Sequence, residues 1–208
     1  ERVREYINPW FEQNWSIFAP NPRRVAVTFE VRAMVRTAEG AEEPTEWIDL
    51  IDNDDSIVAG NPFPPRTAKI SRRTTDRLHS TYSKMNEGQR EWINADYVET
   101  PIDRLRDRLN EADSGASPGQ IEAYLTAEST ATLIASAFAN HQWGDDGEIV
   151  YVQFRTSTRP APRFDEDGST IDDTERTERH YGWRSIAEID AEALEHFNEY
   201  FEQGGDWQ

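Results

Sequence analysis

Asp49, Asp52, Asp54 and Asp55 crowd the end of one apolar stretch, and acidic clusters of this kind are where a hard cation such as Ca²⁺ or Mg²⁺ could bind. Their spacing matches no standard cation loop. A chain with 40 acidic residues against 22 basic ones also generates acidic runs by composition alone. A second run, Asp165-Glu166-Asp167-Gly168-Ser169-Thr170-Ile171-Asp172-Asp173, resembles a Ca²⁺ loop but lacks the mid-loop glycine and the terminal bidentate glutamate, so it reads as a solvated hairpin tip. The expectation is no metal and no cofactor. The histidines are His79, His141, His180 and His196, with no HExxH motif and no close pair. His79 precedes Ser80, and neighbours on a helix point in different directions, so the two form no dyad. His180, beside Tyr181, is the best lone candidate for a base. No GxSxG, P-loop or GxGxxG pattern is present. A non-catalytic protein is expected. The alternative is a small-ligand-binding protein or hydrolase with an acidic cleft lined by Asp49, Asp52, His180 or Tyr181.

The formal charge of -18 argues against nucleic acid as a partner, because phosphate neutralisation needs a basic face. Lys69 and Lys84 are the lysines and every other basic side chain is arginine. An acid-rich, lysine-poor surface suits high ionic strength, which screens self-repulsion, so a halophilic source is expected; a GC-rich genome would favour arginine as well. The absence of cysteine excludes disulfides, thiol nucleophiles and cysteine-based zinc sites. No run of about eighteen apolar residues exists, so nothing in these residues is expected to span a bilayer. Attachment to a membrane would come through a segment outside this chain, upstream of Glu1.

The elements that must position these residues follow from periodicity. Val25, Val27, Phe29, Val31, Ala33 and Val35 alternate with Thr28, Glu30, Arg32, Met34 and Arg36, the pattern of a long strand with one buried face. A polar hairpin loop at 38–44 leads to a returning strand with Trp47, Ile48, Leu50 and Ile51 in its core pattern and Asp49 and Asp52 facing outward. Residues 53–66 read as loop. Ile70, Thr74, Leu78, Tyr82 and Met85 recur at helical spacing, and Trp92, Ile93 and Tyr97 continue it, giving one long helix kinked or broken at Asn86-Glu87-Gly88. Pro101 opens a helix with Ile102, Leu105 and Leu109 on one stripe, and Ser117-Pro118-Gly119-Gln120 is a capping box that starts the next. Its Ala, Ser and Thr residues from Ala127 to Ala139 imply close contact with neighbours. Residues 149–154 form a strand, 178–184 a shorter one, and about 190–202 a last helix. The expected fold is α+β: an antiparallel β-sheet of about four strands, helices packed on one side, and a helical excursion between two hairpins. The whole chain, 1–208, is expected to be one such domain with a helical insertion at about 67–142.

The remaining stretch opens the chain. Asn8 suits a helix N-cap and Pro9 the first helical position, so a short helix would carry Trp10, Phe11 and Trp15 before Pro20 and Pro22 force an extended exit. It could be a hydrophobic plug on the core or a docking surface for a membrane or partner. The run Gln13-Asn14-Trp15-Ser16-Ile17-Phe18-Ala19-Pro20-Asn21-Pro22 resembles the Q-N-W-x-x-F-A-P-x-P signature of a family of uncharacterised, membrane-anchored prokaryotic proteins, a domain of unknown function. Similar runs occur beside membrane proteins resembling vitamin K-dependent carboxylase. Trp47-Ile48-Asp49-Leu50, Asn61-Pro62 and Tyr181-Gly182-Trp183-Arg184 look like later positions of that family. The resemblance implies a domain just after a membrane helix, on the extracytoplasmic face of the cell membrane, with a possible membrane protein partner. It transfers no catalytic residue. The signature residues Trp10, Gln13, Asn14, Trp15, Phe18, Pro20 and Pro22 are expected to serve interaction or structure.

Overall fold

Alternation of β-branched and polar residues does produce a long strand, β1 (Val25–Arg36), in the computed structural model, which describes residues 25–52, 69–98, 102–112, 115–160 and 174–202. β1 pairs antiparallel along its length with β4 (Glu148–Pro160), with a register shift at Met34/Val35. On the other edge of β1 lie the short strands β2 (Glu42–Pro44) and β3 (Ile48–Asp49). β5 (Thr177–His180) and β6 (Arg184–Ser185) pair with β4. The sheet order is β2-β1-β4-β5, all antiparallel, and the fold is α+β.

The long helix expected after residue 70 is two helices, α1 (Ile70–Tyr82) and α2 (Glu87–Asn94). The break has a local cause. Asn86 accepts a bond from the Gln89 N–H (2.8 Å) while the Gln89 side chain accepts from the Asn86 N–H (3.1 Å). This capping box starts a new helix where a continuous one would need both groups in its ladder. α3 (Ile102–Asn110) buries Leu105 and Leu109. α4 (Pro118–Trp143) begins at the expected cap, where the Gln120 side chain accepts from the Ser117 N–H at 2.8 Å. Its small residues Ala127, Ala131, Ala135 and Ala137 are fully buried, so neighbouring elements approach closely. α5 (Ala191–Glu202) docks on α4 through Phe201, whose ring meets Phe138 edge-on at 5.3 Å.

The inner face of the sheet carries Phe29, Val31, Ala33, Val152 and Phe154, all fully buried, and α1 and α4 cover it. β4 extends six residues past the expected end at Phe154, because its far half, Arg155–Pro160, lacks an apolar alternation although Thr156 and Ser157 are buried. The expected strand over 178–184 splits. At Gly182 the chain leaves β5 and passes so close to α2 that a Cβ there would lie 2.1 Å from the Ala95 carbonyl oxygen.

Arg184 holds this crossing. It is 5% exposed, and its Nε donates to Glu128 Oε1 at 2.6 Å; Glu128, on α4, is 0% exposed. Arg184 Nη2 donates to the Ile93 carbonyl (2.7 Å) and Nη1 to the Ala95 carbonyl (2.8 Å), at the C-terminus of α2. Tyr124 donates its hydroxyl to Glu128 Oε2. Burial lowers the Arg184 pKa, but Glu128, together with Tyr124 and Tyr97, leaves it above its ordinary value. Arg184→Met strands a buried carboxylate and two helix-end carbonyls, and is expected to cost about 3–5 kcal/mol in urea unfolding. The double variant Glu128→Gln/Arg184→Met should cost less than the sum of the single changes. Gly182→Ala should cost about 2–4 kcal/mol, since backbone, not a flexible side chain, blocks the new methyl.

Candidate functional site

The outer face of the sheet, opposite the helices, carries the chain's densest array of charged and aromatic groups among the described residues. The ladder registers place them in rows. Thr28, Ser157 and Glu178 form one row; Asp49, Glu30, Arg155 and His180 form the next. Arg32 and Gln153 are paired in a third, with Trp47 and Trp183 at its flanks. Strand period two explains why: each of these β1 and β4 residues alternates with a core residue.

Arg32 is the centre of the third row. Its guanidinium carbon lies 4.5 Å from the Trp47 ring centroid and 4.9 Å from that of Trp183, so the cation sits between two indoles. Arg155 adds a second guanidinium at 4.5 Å from Trp47. Arg32 Nε donates to Gln153 Oε1 at 2.9 Å, and Gln153 Nε2 donates to the Tyr181 carbonyl at 2.9 Å. Among the described residues no carboxylate pairs with Arg32. Burial, then the nearby Arg155 charge, hold its pKa below the ordinary arginine value. The neighbouring arginines differ. Arg155 Nη2 is 2.6 Å from Glu30 Oε1, Arg176 donates to Glu30 Oε2, and Arg176 Nε is 3.1 Å from Glu178 Oε1. A bridging Glu30 therefore holds Arg155 and Arg176, and leaves Arg32 as the arginine of this face without a carboxylate partner among the described residues.

Asp49 takes the outward face expected of it, in the Glu30 row, and is half-buried there. Its Oδ1 accepts from the Phe29 N–H (2.9 Å) and the Ile51 N–H (3.0 Å), which turns the chain from β3 into a helical turn at 50–52. Burial pushes its pKa up to about 6, against those two bonds and with help from Asp52 and Glu30. Asp52 is exposed, while Asp54, Asp55 and 165–173 lie outside the described residues. Among the described residues, no group of three or more His, Asp or Glu side chains is placed to hold a metal.

The other candidate acid-base residues do not converge. Asp49 and His180 share a row but lie three inter-strand spacings apart, about 14 Å at about 4.8 Å per spacing. His180 is exposed with its Nε2 3.3 Å from Glu178 Oε2, and Tyr181 points into the core against Phe154 (4.8 Å between ring centres). His79 has the most altered environment of the histidines. Its Nε2 lies 2.8 Å from Thr156 Oγ1 and 3.4 Å from Arg179 Nη1. A guanidinium can only donate, so Nε2 accepts and the proton sits on Nδ1. Burial, then Arg179, push its pKa down to about 4, partly offset by Asp76. Nothing in the sequence around His79 signals this; its partners come from β4 and β5.

The signature residues Trp10, Gln13, Asn14, Trp15, Phe18, Pro20 and Pro22 lie outside the described residues, as does Asn61-Pro62. The later positions fall within them: Trp47 and Asp49 lie on one edge of the site and Trp183 on the other, while Arg184 turns inward to Glu128. A family match covers residues 1–186 and thereby reaches every residue of the outer face. The chain belongs to the family of unknown function DUF5819. α5 lies beyond the part that matches DUF5819. No curated protein and no solved structure matches the chain. Among the described residues, no helix is long and apolar enough to cross a membrane.

Asp49 gives this site a pH signature. A carboxyl that ionises later in the folded chain than in the unfolded one adds most stability below about pH 4 and loses it as pH rises through about 6. Asp49→Asn keeps an acceptor for both N–H groups and removes the buried charge. It is expected to stabilise the fold by about 1–3 kcal/mol above pH 7, with the difference vanishing below about pH 4 in thermal melts. His79 acts with the opposite sign, since its stability is present above about pH 6.5 and fades as pH falls toward 4.

Proposed function

We propose that this DUF5819 chain is a non-catalytic module on the extracytoplasmic face of a membrane, where it binds a protein partner through the outer face of its sheet. The observation that carries the reading is Arg32, stacked between Trp47 and Trp183 with no carboxylate partner among the described residues. Trp and Arg are the residue types that most often dominate binding energy at interfaces. A guanidinium already flanked by rings and partly stripped of water gains more from an incoming carboxylate than a solvated one does. The partner surface is therefore an acidic and aromatic or aliphatic protein segment. Its membrane-borne character rests on the resemblance of 13–22 to a membrane-proximal signature, and the signature itself would attach the domain to that partner or to its own anchor. The acid-rich, lysine-poor composition supports a salt-adapted setting, in which such a contact must work with long-range charge screened.

The alternative of a hydrolase or ligand-binding protein with an acidic cleft has less support, since Asp49, Asp52, His180 and Tyr181 point to different places. The reading is tested by placing a photo-crosslinking residue at Tyr151, on the neighbouring strand, in the source cells. A membrane protein should crosslink, and Arg32→Gln with Trp47→Ala should reduce the adduct about tenfold or more. Crosslinking unchanged by the double variant, or no adduct at any salt concentration, would sink the proposal.

A further inference from the structure

The helical layer holds a second feature, separate from the sheet face. A cavity of about 580 Å³ opens between α1 and α4, lined by Ile70, Arg73, Thr74, Asp76, Arg77, Ser80, Ala127 and Thr130. Its volume lies in the range of small-molecule sites. Its charge is anomalous for this chain. The net charge is -18, yet α1 carries Arg72, Arg73 and Arg77 against the single acid Asp76, and Lys69 and Lys84, the chain's lysines, flank it.

Arg73 and Arg77 sit four residues apart on one helix, which sets their Cβ atoms about 6 Å apart on the same face. Neither forms an ion pair or a side-chain hydrogen bond among the described residues. Two guanidinium groups at this spacing can close on one tetrahedral oxyanion from two sides, each offering a fork of N–H donors. Ile70, one turn before Arg73 on α1, is partly buried against the core and keeps apolar surface in the groove, whereas Ala127 on α4 is fully buried. The Thr130 hydroxyl donates to the Thr126 carbonyl at 2.9 Å, leaving its oxygen as a rim acceptor. Asp76 also lines the cavity; with two cations against it, the site keeps a net positive charge.

We infer that the groove between α1 and α4 binds a phosphate ester with an attached apolar portion, the phosphate held by Arg73 and Arg77 and the apolar part laid over Ile70. The phosphate can come from a lipid headgroup or from a soluble organic phosphate. A chain this acidic repels anions at long range, so recognition depends on these two side chains and not on the general field.

Calorimetric titration of the full chain with three probes separates the cases: short-chain phosphatidylglycerol below its micelle concentration, phenyl phosphate and inorganic phosphate. Arg104 and Arg108 provide the control, because they repeat the four-residue spacing on α3 at exposed positions and line no cavity among those described. Binding of at least one ester is expected, weakened about tenfold or more by Arg73→Gln/Arg77→Gln and about twofold or less by Arg104→Gln/Arg108→Gln. Tighter binding of the phosphatidylglycerol assigns the lipid source, and equal or tighter binding of phenyl phosphate assigns the soluble one. No binding of either ester, binding of inorganic phosphate as tight as both, or equal losses in the two double variants would overturn the inference. The sheet-face variants Arg32→Gln and Trp47→Ala leave this groove intact, so the two readings fail separately.

Discussion

Arg184 and Glu128 meet inside the molecule, where neither has access to water, and three elements depend on that meeting. A bare carboxylate on α4 would be intolerable there, and so would the open carbonyls at the end of α2. One guanidinium answers both, because its donors are fixed in a plane and can point at Glu128, Ile93 and Ala95 at once. A lysine ammonium has neither the span nor the fork. Apolar replacements of equal volume could hold the core together, but they could not serve the carbonyls. The pair therefore specifies how α2, α4 and the end of the sheet are joined, which is a statement about uniqueness more than about total stability.

The same crossing arranges the outer face. Tyr181 lies under the sheet against Phe154, and two residues later Trp183 lies over it beside Arg32. Gly182 makes the passage, with its N–H 3.4 Å from the Ile93 carbonyl and the Tyr97 N–H bonded to the Trp183 carbonyl at 2.8 Å. Asp96 Oδ1 fixes the Trp183 N–H at 2.8 Å. The four residues Tyr181-Gly182-Trp183-Arg184 thus act in four different ways. Tyr181 packs inward, Gly182 gives clearance, Trp183 stacks on the outer face and Arg184 closes the buried ion pair. A stretch of this kind is a clasp whose outer end borders the Arg32 face, and loss of the inner end would displace the indole that flanks Arg32.

How much of this was legible in the sequence depended on the range of the signal. β1, α4 and α5 are declared by local pattern: strict alternation, a capping box, an apolar stripe closed by Phe201. The break between α1 and α2 was visible as a possibility at Asn86 and became definite only through the reciprocal bonds with Gln89. Asp49 keeps the face that alternation gives it, but alternation does not say whether two backbone N–H groups wait for it there. The far half of β4 was invisible because its buried positions are Thr156 and Ser157, which satisfy themselves with His79 and Thr28 at 2.8 Å each. The indole-flanked Arg32 and the Glu128–Arg184 pair join residues far apart in the chain, and no periodicity encodes that. The family signature at 13–22 was the loudest motif and lies outside the described residues.

Arginine in place of lysine has a physical consequence here beyond charge. Arg32, Arg90, Arg155 and Arg184 all lie over aromatic rings, at 4.5 to 5.2 Å from their centres. Stacking of this kind depends on a planar, weakly hydrated cation and survives screening better than a point charge in solvent does. In a chain of net charge -18, exposed pairs such as Arg36 with Glu42 contribute little and fade with salt. The cations that remain useful at high ionic strength are those partly removed from water, and Arg32 is placed in that class by burial and by its two indoles. Arg73 and Arg77 belong to the other class: exposed, unstacked, and effective only when an anion enters the groove and excludes water from between them. On the two proposed readings, the sheet-face arginine would hold its contacts at high salt better than the α1 pair, and that difference follows from desolvation.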